Sequence, residues 1–296
     1  MMVSTKGTFS FYFILLGELL LLPILYIRNI LDCKKRRNKR VRKPVLTDKV
    51  YVEVHEWAGY PISREKQLKN GKTFQCGLKY QLERFHRARQ HSQYQIDLTV
   101  TMSGLNDYLY DVVYLKDKCN RVLEVSNTGL DFSGYSSFFN HIKDMPNSYV
   151  ILSNSSVNSS IDLFLDDYIE YMESNPDVGM LGISYCTKMY QTLVRNNFTP
   201  HLQSFFLMTT IDVLKEVVSA NHGCFPGSNV KNKQLLIRNG EIKISQLIMN
   251  LGYNLSVIRP DNGKPFKFLE KALWNIPQGD VRQVIDTPNK INRIKF

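Results

Sequence analysis

The sequence predicts an α/β domain, a mostly parallel sheet sandwiched by helices, preceded by an apolar N-terminal helix that crosses a membrane. Three observations carry this. Strand-length apolar runs alternate with helical-period segments from residue 50 to residue 258. Residues 122–157, VLEVSNTGLDFSGYSSFFNHIKDMPNSYVILSNSSV, read as strand, glycine-containing turn, helix, strand and a run of small polar residues, which is one βαβ unit. Residues 7–27, GTFSFYFILLGELLLLPILYI, carry one charge, Glu18, and one proline, Pro23.

As a helix, residues 7–27 can cross a hydrocarbon core of roughly 30 Å. A cleaved signal peptide is the competing reading, but the basic flank is on the wrong side and no small-residue cleavage site follows. A buried core helix would need more polar residues on one face. Glu18 in lipid must be protonated or paired in an assembly. Next come eight basic residues in the ten from Lys34 to Lys43. Beside a span, such a run is a topology signal and a contact for anionic lipid, which is a better reading than nucleic acid. The expected layout is an anchor over residues 1–33, a basic juxtamembrane linker over 34–48 and a domain over 49–296 on the cytosolic face. A lumenal domain is the alternative, for which the sequons at Asn154, Asn158, Asn197 and Asn254 would matter. The net charge of +11 belongs mostly to the linker; without the first 43 residues about +3 remains. The five cysteines are scattered, with no CxxC pair, so the pattern suggests neither a zinc site nor a disulfide framework. Cys33, at the membrane edge, is a plain thiol or an acylation site.

Val50–Val54 alternates like a strand, residues 75–92 are basic and polar with no firm assignment, and Tyr94–Thr101 is a second strand. Residues 108–118 form a helix or loop. In the central unit, Asn127-Thr128-Gly129 breaks the strand Val122–Val125, Asp131 can cap the helix beginning near Phe132, and Pro146-Asn147 ends it before Tyr149–Leu152. Helices at 161–173 and 211–220 alternate with strands at 178–183 and 203–210. A helix from Glu241 to Leu251, closed by Gly252, leads to a last strand over 253–258.

Ligands of open α/β sheets sit beyond the carboxyl ends of the strands, so the turn Asn127–Asp131 and the cluster Asn154-Ser155-Ser156 should face one crevice. Asp131 either accepts from a sugar hydroxyl or only caps its helix. Asn154–Ser156 either binds hydroxyls or a pyrophosphate, or starts a loop. A divalent ion bridging a diphosphate needs a carboxylate, and none stands at 153–157. Asp162, Asp166 and Asp167 read as a solvated helix face. His201 and Gln203 share one face of an apolar strand, which suits structure or recognition of a hydroxyl-rich ligand. Glu241 at a helix start has its ionised form favoured by the dipole, suiting a general base or a routine first-turn glutamate.

The order N-x-G-x-D-x-x-G-Y, YVILSNSSV, PHLQSFFL and GEIKISQ with LGYNL resembles the rhamnan-synthesis-type and related polysaccharide glycosyltransferases of GT-A fold, over roughly residues 94–260. The resemblance implies a GT-A-like, Rossmann-like sheet and transfer of a sugar from a nucleotide-diphosphate donor to a glycan hydroxyl. It places Asn127, Gly129, Asp131, Gly134 and Tyr135 at the nucleotide-sugar pocket, and Asn154, Ser155 and Ser156 where an Asp-x-Asp element stands. It places His201, Gln203 and Ser204 at the sugar or acceptor side, with Glu241 as general base. Some members carry Asn-Ser-Ser here, and the missing aspartate leaves a manganese or magnesium ion open. An inactive glycan-binding relative and a membrane-tethered adaptor are the alternatives.

Overall fold

The structure is a computed structural model and describes residues 5–21, 23–24, 27, 31, 44–67, 71, 73–108, 110, 112–186, 201–258 and 291–293. The basic run Lys34–Lys43, Cys33 and Asn197 lie outside the described residues. Eight strands form the main sheet: β1 (Lys49–Trp57), β4 (Gln95–Ser103), β5 (Arg121–Val125), β6 (Tyr149–Asn154), β7 (Val178–Gly182), β10 (Phe206–Thr210), β11 (Asn254–Ile258) and β12 (Ile291–Arg293). Across the sheet the order is β5-β4-β1-β6-β10-β7-β11-β12. The pairings make β10 and β12 antiparallel to the other six. Two short pairs stand apart, β2 (Arg64–Gln67) with β3 (Thr73–Cys76) and β8 (Tyr185–Cys186) with β9 (His201–Leu202).

Helices cover both faces. Val50, Val52 and Val54 of β1 face a core shared with α2 (Leu78–His91), α3 (Val112–Lys118) and α5 (Leu165–Ser174). The opposite face packs on α4 (Asp131–Ile142), α6 (Ile211–Ala220), the short α7 (Lys233–Leu236) and α8 (Lys243–Asn250). Alternation usually marks a half-exposed strand. In β1 it does not, because the residues that alternate with the valines, Glu53 and the following His55 among them, are buried beneath α4.

The expected α/β, mostly parallel and Rossmann-like architecture is therefore present, with differences of detail. The helix expected from residue 161 begins at Leu165. Of the strand expected over 203–210, only Phe206–Thr210 forms, as β10, and it runs antiparallel. Residues 75–92, unassigned from sequence, supply the end of β3 and the core helix α2.

The N-terminal expectation is corrected. The helix α1 (Thr5–Leu20) has 16 residues, about 24 Å at 1.5 Å per residue. Among the described residues no helix is long and apolar enough to cross a membrane; residues 22, 25 and 26 of the expected span lie outside them. α1 docks on the domain instead. Phe11 is buried, Asn232 Nδ2 donates to Thr8 Oγ1 at 3.3 Å, and Glu18 pairs with Arg238 at 2.8 Å. Glu18 thus finds its cation within the chain. Phe9, Phe13, Leu16 and Leu20 face outward.

Gly134 lets α4 approach the polar face of the sheet. A Cβ there would stand 2.8 Å from Glu53 Oε1 and nearer still to His55 Nδ1 and Thr101 Oγ1. Gly134→Ala is expected to lower stability by roughly 1–3 kcal/mol through overpacking, read as a drop in the thermal unfolding midpoint; an unchanged midpoint would contradict this packing.

Candidate functional site

The site lies where the parallel strands end. Register puts His55 beside Asn154, Trp57 beside Ser103 and Ser103 beside Val125, so β1, β4, β5 and β6 stop at one edge. Because β10 is antiparallel, with Phe206 opposite Ser153, it enters the sheet at this edge and brings residues 201–205 there. α4 also starts here. Leu130, just before it, has φ 49°, a sharp turn that delivers Asp131 to the edge.

Five of the sequence-derived site residues converge. Asn154 Nδ2 donates to Asp131 Oδ2 at 2.6 Å. Ser204 Oγ lies 2.9 Å from Glu241 Oε1 and 3.4 Å from Asp131 Oδ2, and His201 Nε2 is 3.9 Å from Glu241 Oε2. Asp131 makes no side-chain cap, since its carboxylate is turned to Asn154 and Ser204. The Ser204 hydroxyl has one proton and faces two carboxyl groups. With both ionised, only one receives it; with Glu241 protonated, Glu241 donates to Ser204 and Ser204 to Asp131. Protonated Glu241 is thereby favoured. Burial, followed by the Asp131 charge, raises its pKa to about 7, against the Ser204 hydrogen bonds and the Lys233 charge.

Glu241 is not at a helix start, which corrects the expectation. It sits in a π-helical turn, Ile237–Ile242, between α7 and α8, so helical structure runs on both sides of it. The dipole argument for an ionised form fails there, and burial governs instead. Gly240, which looks like a helix breaker in sequence, packs against Phe132, whose ring atoms would stand 2.7–3.0 Å from a Cβ.

The remaining candidates have other surroundings. Asn127 is exposed, its Oδ1 3.5 Å from Ser103 Oγ. Gly129 is buried against the Gly227–Ser228 backbone. Tyr135 is fully buried and donates to the Ser204 carbonyl at 2.5 Å, holding that loop from below. Ser155 Oγ accepts from Arg64 Nη2 at 2.7 Å, and the Ser156 amide donates to Asn154 Oδ1 at 2.9 Å. Gln203 Oε1 accepts from the Ser184 hydroxyl, and Gln203 lies one residue beyond the end of β9.

Other groups at this edge had no sequence signal strong enough to single them out. Arg64 pairs with Glu56 at 2.9 Å and lies over the Tyr60 ring at 4.2 Å. Lys66, two residues on, stands 6.0 Å from the Phe205 ring centroid. Trp57 packs edge-on against Tyr60 and Tyr108. Beneath α4, Glu53, Thr101, His55 and Ser103 form a buried polar chain. Burial holds the Glu53 carboxyl well above its usual range and lowers the His55 pKa. In β2, REKQ, the pairing with β3 shows one face turned inward.

The strand end does not fit a divalent ion. Asn154 spends its amide on Asp131 and its oxygen on Ser156, and Ser155 already faces a guanidinium cation. Among the described residues no three His, Cys, Asp or Glu side chains converge as a metal site.

No family model matches the chain, and no curated protein matches it. Among solved structures it is similar to a mannosyltransferase from Pyrobaculum calidifontis, described with GDP-Man and Mn2+, at 13% identity and a TM-score of 0.36, covering 85% of this chain and 67% of that one. It is also similar to a UDP-glucose pyrophosphorylase from Leishmania major, at 12% identity and a TM-score of 0.35, covering 60% of this chain and 52% of that one. Likenesses at this level assign no activity, and the functional reading rests on the site's own geometry.

A carboxyl whose folded pKa is raised costs stability as pH climbs through the window between its unfolded and folded values. For Glu241 that window runs from 4.5 to about 7. Glu241→Gln, neutral at every pH, is expected to be as stable as the parent below pH 4.5 and more stable at pH 8, by up to roughly 3 kcal/mol. Denaturant titrations at the two pH values check this, and equal stabilities at pH 8 would remove burial as the governing effect.

Proposed function

We propose that the protein is a glycosyltransferase of GT-A type that moves a sugar from a nucleotide-diphosphate donor to a hydroxyl of a glycan or polysaccharide acceptor. The observation that carries this is the convergence of Asp131, Asn154, Ser204 and Glu241 at one sheet edge, with Glu241 held near neutrality. A base poised at about 7 takes the proton of an acceptor hydroxyl as that oxygen attacks the anomeric carbon, and the nucleoside diphosphate leaves. Asp131 and Ser204 bind sugar hydroxyls in this reading, and His201 orients the Glu241 carboxylate. The strand order, with one antiparallel strand entering at the site, supports the GT-A reading.

Membrane association belongs to the same proposal. α1 presents Phe9, Phe13, Leu16 and Leu20 outward, and the sequence continues into the basic run Lys34–Lys43, which suits anionic lipid on the cytosolic face. The carboxylate-free strand end favours one second reading, an inactive glycan-binding relative.

The test incubates the full chain in mild detergent with UDP-, GDP- and dTDP-sugars and mixed glycan acceptors, and reads released nucleoside diphosphate. One donor is expected to be consumed, at a rate rising with pH through about 7. Glu241→Gln is expected to cut turnover by about 10²–10⁴-fold while donor affinity stays within about twofold. Donor binding without turnover would favour the inactive relative, and no nucleotide binding by a folded chain would end the transferase reading.

A further inference from the structure

We infer that the donor diphosphate is held by side-chain cations, Lys66 with Arg64, in place of a bridging metal ion; this rests on the transferase reading above. The β2–β3 hairpin is the structural basis. Alternation along β2 puts Arg64 and Lys66 on one face and Glu65 and Gln67 on the other. The partners across the hairpin are Cys76 and Phe74, both buried, so the face carrying the two cations is the inward one. Glu65 and Gln67 are exposed.

That inward face meets the end of β6. Arg64 Nη2 donates to Ser155 Oγ at 2.7 Å, the hydroxyl that a metal-based site would need for itself. Glu56 and the Tyr60 ring fix the guanidinium in place. Two of its five N–H groups are committed to Glu56 and Ser155, and the others remain for a phosphate oxygen. Glu56 offsets much of the Arg64 charge, so the ammonium of Lys66 supplies the net attraction. Lys66 is half-buried over Phe205, the residue after Ser204, and among the described residues no carboxylate pairs with it. Burial lowers its pKa most, and repulsion from Arg64 and Lys233 lowers it further, against the attraction of Cys76 and Asp131. A bound diphosphate relieves that repulsion. As the glycosidic bond breaks, charge develops on the leaving phosphate oxygen, and a fixed cation beside it stabilises that charge without reorganisation.

The experiment is calorimetric titration of the full chain with UDP, GDP and dTDP, and with the matching monophosphates, in EDTA and again with manganese. One diphosphate is expected to bind in EDTA within about threefold of its affinity with manganese. Lys66→Gln, on a hairpin apart from the main sheet, is expected to weaken the diphosphate by about tenfold and the monophosphate by less than about twofold, and Lys66→Arg to restore most of the loss. Binding that appears only with manganese overturns the inference and leaves the transferase reading standing. Metal-free binding that Lys66→Gln leaves unchanged, in a variant with parental circular dichroism, overturns it as well. If no nucleotide binds under any condition, the donor reading itself falls and takes this inference with it.

Discussion

The candidate site depends on how closely α4 lies on the sheet, and residue 134 sets that distance. Any side chain there would collide with Glu53, His55 and Thr101, so glycine alone lets the helix settle onto a polar strand face. With the helix at this depth, Asp131 reaches Asn154 at 2.6 Å and Tyr135 reaches the Ser204 carbonyl at 2.5 Å. Gly129 and Gly240 serve the same closeness, one against the 227–228 backbone and the other against Phe132. Three glycines thus act through the room they leave, and the polar groups of the site are brought together as a result.

Burial then does the chemical tuning. Glu53, Glu56 and Glu241 are all raised by desolvation, yet their surroundings differ. Glu56 keeps a guanidinium partner, and Glu53 sits wholly inside beneath α4. Glu241 shares a serine hydroxyl with Asp131 at the open sheet edge, where a protonation change is useful to a ligand. Its π-helical turn belongs to the same logic, since an extra residue in a helical turn re-aims the side chains beside it.

Two segments peripheral in sequence are central in space. α1 reaches the helix bearing Glu241 through the Glu18–Arg238 pair, three residues before the candidate base. With both partners largely shielded, breaking that pair would leave a costly charge behind. The β2–β3 hairpin brings Arg64 to Ser155 across 91 residues of chain.

The alternation of strands and helices, the βαβ unit and its polar ends are legible in the sequence, because periodicity and turn residues are local properties. Asp131, Asn154, His201, Ser204 and Glu241 were all legible as polar residues at element ends. Their convergence was not, because it requires β10 to run antiparallel, and a five-residue apolar strand reads the same in either direction. The Glu241 environment is hidden for a related reason: Gly240 looks like a helix boundary, and only the Phe132 ring packed against it shows why a glycine stands there. The burial of Glu53 and His55 is not visible in the alternation of β1, because alternation reports chemistry and not cover, and only α4 supplies the cover. Arg64 and Lys66 had no local signature at all. Which face of a short charged strand turns inward is decided by what packs there, and only the tertiary structure holds that information.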